Sequence, residues 1–158
     1  MNRRLIVMRH AKAENAPGLA DVERDLTDTG RAQAGAVGAL LAREGLVPEH
    51  VICSAARRTR ETWRLVAEGL PTEPETDVTA SLYSAGVDTA LELVGRVDPA
   101  VRTLLLVGHN PTMAQLAAAF GDGGYPHFPP ASVAVVDLDV DWLYAAPGTG
   151  TARILERP

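Results

Sequence analysis

The chain of 158 residues has little of several residue types, and each scarcity narrows what the protein can be. Cys53 is the only cysteine, which excludes an internal disulfide framework and a cysteine-rich zinc site. Since Cys53 lies in the apolar run 51–53, we expect it to be a small buried hydrophobic residue. Lys12 is the only lysine among fifteen basic residues, so the other basic side chains are arginines. No apolar run approaches the ~18 residues that a membrane-spanning helix needs.

The overall charge is acidic. Twenty acidic residues against fifteen basic ones give a formal net charge of −5. Non-specific binding to nucleic acid or to an anionic membrane needs a broad basic surface, so neither partner is expected here. The first apolar run is too short for a signal peptide, and we therefore expect a cytoplasmic protein. The length predicts one domain, residues 1–158.

Short apolar runs alternate with helical patterns along the chain, as is typical of strands buried on both faces of a parallel sheet. This alternation predicts an α/β domain with a mainly parallel sheet and helices on both faces. The predicted strands are residues 5–8, 51–53, 76–79, 103–107 and 132–138, with short late strands at 143–144 and 153–155. The predicted helices are residues 29–44, 56–70, 87–97 and the segment that follows Pro111.

Helix-start residues precede three of the predicted helices. Thr27, Ser54 and Asn110 are predicted N-caps, and Pro111 is predicted to occupy the first helical position after Asn110. Gly45 is expected to end the first long helix. On the second long helix the apolar and charged residues form opposite stripes, and Arg58 belongs to neither of them.

Basic and imidazole side chains follow three of the predicted strands. Arg9-His10 follows the first strand, Arg57-Arg58 follows the second, and His109-Asn110 follows the strand 103–107. Ligands of open parallel sheets bind beyond the carboxyl ends of the strands, so we expect these side chains to converge. Two helix N-termini would direct their free N–H groups to the same edge. The combination predicts an anion site, and phosphate is the commonest multiply charged ligand that fits it.

The same positions resemble three motifs of the histidine phosphatase superfamily, which includes the phosphoglycerate mutases. Arg9-His10 after a strand resembles the arginine–histidine signature. Residues 54–62 resemble the second motif, in which an arginine four residues after a serine binds phosphate; here that arginine is Arg58. Residues 108–110 resemble the third motif, which supplies the second histidine, His109. The short length and residues 9–12 and 24–30 are most similar to the SixA-type branch, whose members are described as phosphohistidine phosphatases.

The resemblance implies a phosphoglycerate mutase-like fold and a mechanism that needs no metal and no other cofactor. The fold would be a three-layer αβα domain whose sheet has one antiparallel edge strand, for which residues 132–138 are the candidate. His10 would act as the nucleophile and form a phosphohistidine intermediate. Arg9, Arg58 and His109 would surround the oxygens of the phosphoryl group.

Three further residues are candidates for contacts with the substrate. They are Arg24, in the loop before the first long helix, together with Lys12 and Asn110.

One departure from the family's pattern bears on the choice of substrate. Many relatives have a glutamate after the segment that matches residues 81–83, and it protonates the leaving oxygen. Residues 82–86 contain no carboxylate here. General acid catalysis accelerates such reactions by about 10²–10⁴-fold, so its loss disfavours alkyl phosphomonoesters. The more labile P–N bond of a phosphohistidine tolerates the loss better.

Three functions stay open at this point. The leading one is a phosphohistidine protein phosphatase that acts as a monomer. The loop 121–130 is short for a cap over a small substrate, which favours a protein substrate. The alternatives are a phosphatase of a small phosphorylated metabolite or nucleotide, and a non-catalytic phosphate-binding module. The complete set of Arg9, His10, Arg58 and His109 argues against the last of these.

Overall fold

A six-stranded sheet forms the centre of the protein. The computed structural model describes residues 2–121, 124 and 126–156. The strands are β1 (Arg3–Arg9), β2 (His50–Ser54), β3 (Glu75–Thr79), β4 (Thr103–Gly108), β5 (Val133–Leu138) and β6 (Gly150–Ile154). Their order across the sheet is β3-β2-β4-β1-β5-β6. The predicted strands are therefore confirmed, except that residues 143–144 lie in a short 3-10 helix, Trp142–Tyr144.

The direction of the strands is that of a mostly parallel sheet. β1, β2, β3 and β4 pair in parallel with one another. β5 pairs antiparallel with β1, which confirms the direction predicted for residues 132–138. The chain then turns back at Gly148, whose φ of 89° suits a glycine, and β6 pairs along the outer side of β5. The antiparallel edge of the sheet is therefore β6, and the predicted edge strand, β5, lies one strand inside it.

Helices cover both faces of the sheet, as predicted. They are α1 (Asp28–Arg43), α2 (Arg57–Glu68), α3 (Val87–Gly95) and α4 (Thr112–Ala119). Successive side chains of a strand point to opposite faces, so β1 supplies both cores. Leu5 and Val7 pack with residues of α3 and α4, whereas Ile6 and Met8 pack with residues of α1 and α2. The result is the predicted three-layer αβα domain.

Local helix signals are confirmed at both ends of α1. The Thr27 hydroxyl oxygen accepts a hydrogen bond from the Gly30 amide at 2.9 Å, which is the bond expected of an N-cap. Gly45 follows the last turn with a φ of 69°, a left-handed conformation that favours glycine.

The N-cap predicted at Ser54 is wrong. Ser54 is the last residue of β2, where it pairs with Thr79, so the chain needs two more residues before α2 begins. The residue that precedes α2 is Ala56, which has no capping side chain. α4 begins at Thr112, so Pro111 precedes the helix rather than occupying its first position, but the Asn110 Oδ1 still accepts from the Ala114 amide of the first turn at 3.3 Å.

Two further predictions concern Cys53 and the loop 121–130. Cys53 is fully buried in β2, and burial raises the pKa of its thiol to about 12, as suits a hydrophobic role. Of the predicted loop 121–130, residues 122, 123 and 125 lie outside the described residues.

No helix in the described part of the chain combines the length and apolar character that crossing a membrane requires.

The helices α1 and α2 approach each other closely because glycines lie at their crossing. A Cβ atom placed on Gly38 of α1 would overlap the backbone carbonyl oxygen of Val66 in α2. Gly69, just after α2, faces the same point, and a Cβ there would lie 2.8 Å from the carbonyl carbon of Gly38. Backbone atoms cannot rotate away as side chains can, so the distance between these helices depends on the absence of a side chain at position 38.

We predict that Gly38→Ala lowers the free energy of unfolding by about 1–3 kcal/mol, because the added methyl group forces α1 away from α2. Gly35→Ala is the matched control, since a Cβ at Gly35 meets nothing within 4 Å. That variant should stabilise the helix by about 0.5–1 kcal/mol. Urea unfolding of both variants measures the difference, and equal stabilities would refute the proposed close approach.

Candidate active site

The pairing of β1 with β4 brings two histidines together. Arg9 is paired with Gly108 in this parallel register, so the next residues along the two strands, His10 and His109, leave the sheet side by side. The His10 amide donates to the Gly108 carbonyl at 3.0 Å and continues the pairing by one step. The two imidazole rings lie 5.4 Å apart between centroids and are tilted by 60°.

The environment of His10 determines which ring nitrogen carries the proton. His10 is buried, with 8% of its surface exposed, and its Nδ1 lies 2.7 Å from the carbonyl oxygen of Ala11. A carbonyl oxygen can only accept, so Nδ1 is protonated and donates this bond. Burial lowers the pKa of His10 to about 3, and the charges of His109, Arg58 and Arg9 act in the same direction. The ring is therefore neutral near pH 7, with a free electron pair on Nε2.

His109 is held between a serine and an arginine. Its Nε2 lies 2.7 Å from the hydroxyl of Ser54, the last residue of β2, and its Nδ1 lies 3.2 Å from Nη2 of Arg58. An arginine only donates, so in the neutral ring Nδ1 accepts and the proton is on Nε2. Burial and then the nearby Arg58 charge lower the pKa of His109 to about 4.

Arg58 is buried at the start of α2, with 5% of its surface exposed. Its guanidinium binds Asp21 twice: Nη1 donates to the backbone carbonyl at 2.8 Å, and Nη2 donates to the carboxylate at 3.0 Å. The Tyr83 hydroxyl donates to the same carboxylate, and Arg24 donates to its other oxygen through Nε at 3.0 Å. The Tyr83 bond and the two arginines lower the pKa of Asp21 to about 2.

Arg9 and Asn110 share one acceptor on the opposite side of the histidines. Arg9 donates through Nη1 and Asn110 through Nδ2 to the carbonyl oxygen of Phe128, at 3.2 Å and 2.8 Å. The segment that contains Phe128 precedes β5, so this carbonyl joins the ends of β1 and β4 to the next strand.

The structure brings most of the predicted residues together at one edge of the sheet, but not all of them. His10, His109 and Arg58 form a contiguous group, and Arg24 joins it through Asp21. The side chain of Lys12 is exposed and bonds to none of the described site residues. The Lys12 backbone instead binds the side chain of Gln33 and the amide of Thr27.

Three residues of the site escaped the sequence analysis. Ser54 was assigned to helix capping, whereas its hydroxyl binds His109. Tyr83 belongs to the segment 81–83, after which many relatives have a glutamate, and nothing in the sequence indicates a role for the tyrosine itself. In the structure its ring lies 5.4 Å from that of His109, edge to face. Asp21 stood in a loop without periodicity, and the one local signal was its position three residues before Arg24, a spacing that favours an ion pair.

Comparison with known proteins identifies the family. The model of the histidine phosphatase superfamily (branch 1) matches residues 5–81. An uncharacterized protein of Mycobacterium tuberculosis, Rv1276c, is 33% identical over 151 residues, which cover 89% of this chain and 93% of the relative. The chain belongs to the histidine phosphatase superfamily. Its family together with the solved structures that share its fold make it a phosphatase, and therefore a hydrolase.

Solved structures share the fold of this histidine phosphatase over nearly its whole length. A proposed SixA phosphohistidine phosphatase from Nakamurella multipartitia is 28% identical, with a TM-score of 0.87 over 99% of this chain and 97% of that one. A second proposed SixA protein, from Agrobacterium tumefaciens, is also 28% identical, with a TM-score of 0.80 over 98% and 96% of the two chains. The resemblance to the SixA-type branch is thereby confirmed.

We predict that His10 of this histidine phosphatase stays neutral, with its proton on Nδ1, between about pH 5 and pH 8. Its pKa is lowered to about 3, so the charged form is populated only in stronger acid. Nitrogen NMR of the imidazole rings measures the tautomer, with His10→Ala used for assignment. The urea-unfolded protein is the control, in which the histidines titrate near their usual pKa of about 6.5. A titration midpoint near that value in the folded protein would contradict the assignment.

Proposed function

We propose that this protein hydrolyses phosphorylated substrates through a phosphohistidine intermediate on His10, and that its preferred substrate is a protein that carries phosphohistidine. The observation on which the proposal depends is the bond from His10 Nδ1 to the Ala11 carbonyl. It leaves Nε2 as an unprotonated nucleophile at neutral pH, beside the donors of His109 and Arg58.

In the first step the Nε2 electron pair of His10 attacks phosphorus, and the bond to the leaving group breaks. The phosphorylated imidazole then carries a positive charge, which the Ala11 carbonyl stabilises through the Nδ1–H bond. In the second step a water oxygen bonds to phosphorus, the P–N bond breaks, and its electrons return to Nε2. The protons of the water remain on phosphate or pass to solvent, so the neutral imidazole is regenerated.

Positive charge beside His10 would stabilise the transferring phosphoryl group. Negative charge is spread over the three equatorial oxygens of such a group, and fixed donors lower the barrier by stabilising it. Arg58 is permanently charged, and its burial keeps the guanidinium in a fixed position. A bound phosphoryl dianion would also favour protonation of His109, which then has donors on both nitrogens.

The ionised state of the carboxylate in the described part of the site supports a substrate with a P–N bond. Asp21 is the carboxylate that Tyr83 and Arg58 contact in this site. Its pKa is lowered to about 2, so it is ionised near neutral pH and holds no proton to donate. An alkoxide leaving group needs a proton from the enzyme, whereas a phosphohistidine whose other ring nitrogen is protonated by solvent releases a neutral, weakly basic imidazole.

The loops above the strand ends support a protein substrate rather than an enclosed small molecule. Among the described residues, the regular structure in these loops consists of two single-turn 3-10 helices, Asp21–Glu23 and Ala80–Leu82. Neither is large enough to cover a ligand. A histidine side chain presented on the surface of a partner protein could therefore reach His10.

We predict that His10→Ala abolishes turnover, because both ring nitrogens of His109, the other imidazole of the described site, are engaged by Ser54 and Arg58. The readouts are release of phosphate from a phosphohistidine-bearing protein and from p-nitrophenyl phosphate, together with acid-labile labelling of the enzyme. His50→Gln is the control, because His50 begins β2 at the opposite end of the strand and binds Asp77. Unchanged activity in His10→Ala, or an inactive wild type on both substrates, would refute the proposal.

We further predict that kcat/KM for the phosphohistidine-bearing protein exceeds that for a phosphoserine-bearing protein by about 10²-fold or more, the usual contribution of a general acid. Both are measured as phosphate release under identical conditions. A preference for small phosphomonoesters would instead favour the alternative function, a metabolite or nucleotide phosphatase.

A further inference from the structure

The donors of Arg58 are largely occupied within the protein itself. An arginine has five N–H donors. Of these, one on Nη1 binds the Asp21 carbonyl, one on Nη2 binds the Asp21 carboxylate, and the other on Nη2 faces Nδ1 of His109. The Nε–H is buried and has no hydrogen-bond partner among the described residues. Both terminal nitrogens of Arg58 are thus engaged by one acidic residue.

The carboxylate of Asp21 also accepts hydrogen bonds from Arg24 and Tyr83. Arg24 binds Oδ1 of Asp21 at 3.0 Å, and the Tyr83 hydroxyl binds Oδ2 together with Arg58. Two guanidinium groups and a hydroxyl around an anion form the kind of donor set that recognises a phosphoryl group. Both arginines were also predicted from the sequence to contact phosphate or substrate. Asp21 therefore occupies donors that a phosphate ion would use.

The segment that contains Asp21 is held by polar bonds rather than by buried apolar contacts. The 3-10 helix Asp21–Glu23 contributes no buried residue, and 51% of the Asp21 side chain is exposed. Gly18 precedes it with a φ of 92°, in a loop that crosses the surface. Moving this segment away from Arg58 would disrupt no part of either hydrophobic core.

We propose that Asp21 is an internal competitor for the phosphate site: its carboxylate neutralises Arg58 in the empty enzyme and must leave when a phosphoryl group binds. This inference deepens the proposed function and depends on it. A tethered carboxylate competes at a high effective concentration, so it lowers the affinity for free phosphate, the product. It also balances the charge of a buried arginine between turnovers, since an unpaired buried charge is costly.

The test is binding of inorganic phosphate, measured by isothermal titration calorimetry. Asp21→Asn keeps the shape of the side chain and removes its charge, and we expect it to bind phosphate about tenfold more tightly, the effect of one charge-assisted hydrogen bond. Thermal unfolding of each variant checks that the fold is retained.

Glu23→Gln is the matched control for the loss of negative charge. Glu23 lies on the same 3-10 helix, is exposed, and forms no ion pair with any described residue. We expect its phosphate affinity to stay within about twofold of the wild type, because an exposed charge is strongly screened.

The outcomes separate the alternatives. Tighter phosphate binding in Asp21→Asn, without a comparable change in Glu23→Gln, supports competition. Unchanged or weaker binding in Asp21→Asn overturns it and would show that Asp21 instead positions Arg58. Equal increases in both variants also overturn it, since they would reflect overall charge. The proposed function is tested separately by His10→Ala turnover, so it can stand even if this inference fails.

Discussion

The parallel pairing of β1 with β4 is the constraint on which the rest of the site depends. Because Arg9 lies opposite Gly108, the strands end at the same level, and His10 and His109 emerge beside each other. A shift of one residue would turn the alternating side chains of β1 to the wrong faces, which would bury Leu5 and Ile6 against the wrong helices. The packing of the two cores therefore fixes the geometry of the histidine pair.

The burial of His10 and His109 determines their protonation state. His10 and His109 lie in surroundings that disfavour a positive ring, so both are neutral near pH 7. Neighbouring backbone and side-chain groups then select opposite tautomers: the Ala11 carbonyl places the proton of His10 on Nδ1, and Arg58 with Ser54 places that of His109 on Nε2. One ring is thereby prepared to attack, while the other can gain a proton when negative charge arrives.

The site contains an acidic residue among its basic ones. The strand ends predict a site for an anion, and the structure shows that the carboxylate of Asp21 already lies among its arginines. Asp21 binds Arg58 and Arg24, and Asp25 pairs in turn with Arg57. Arg58, Arg24 and Arg57 are thus each paired with a carboxylate, which offsets their mutual repulsion.

The sequence by itself determined the strands, the layers and the convergence of His10, Arg58 and His109, because apolar periodicity and strand ends are encoded in neighbouring residues. It also determined the start of α1 at Thr27, where the cap lies within one turn. Only the tertiary structure decided that the hydroxyl of Ser54 binds His109 and that Asp21 reaches Arg58. Those partners are separated by 55 and 37 residues, and a contact that depends on how distant segments fold together leaves no local pattern to read.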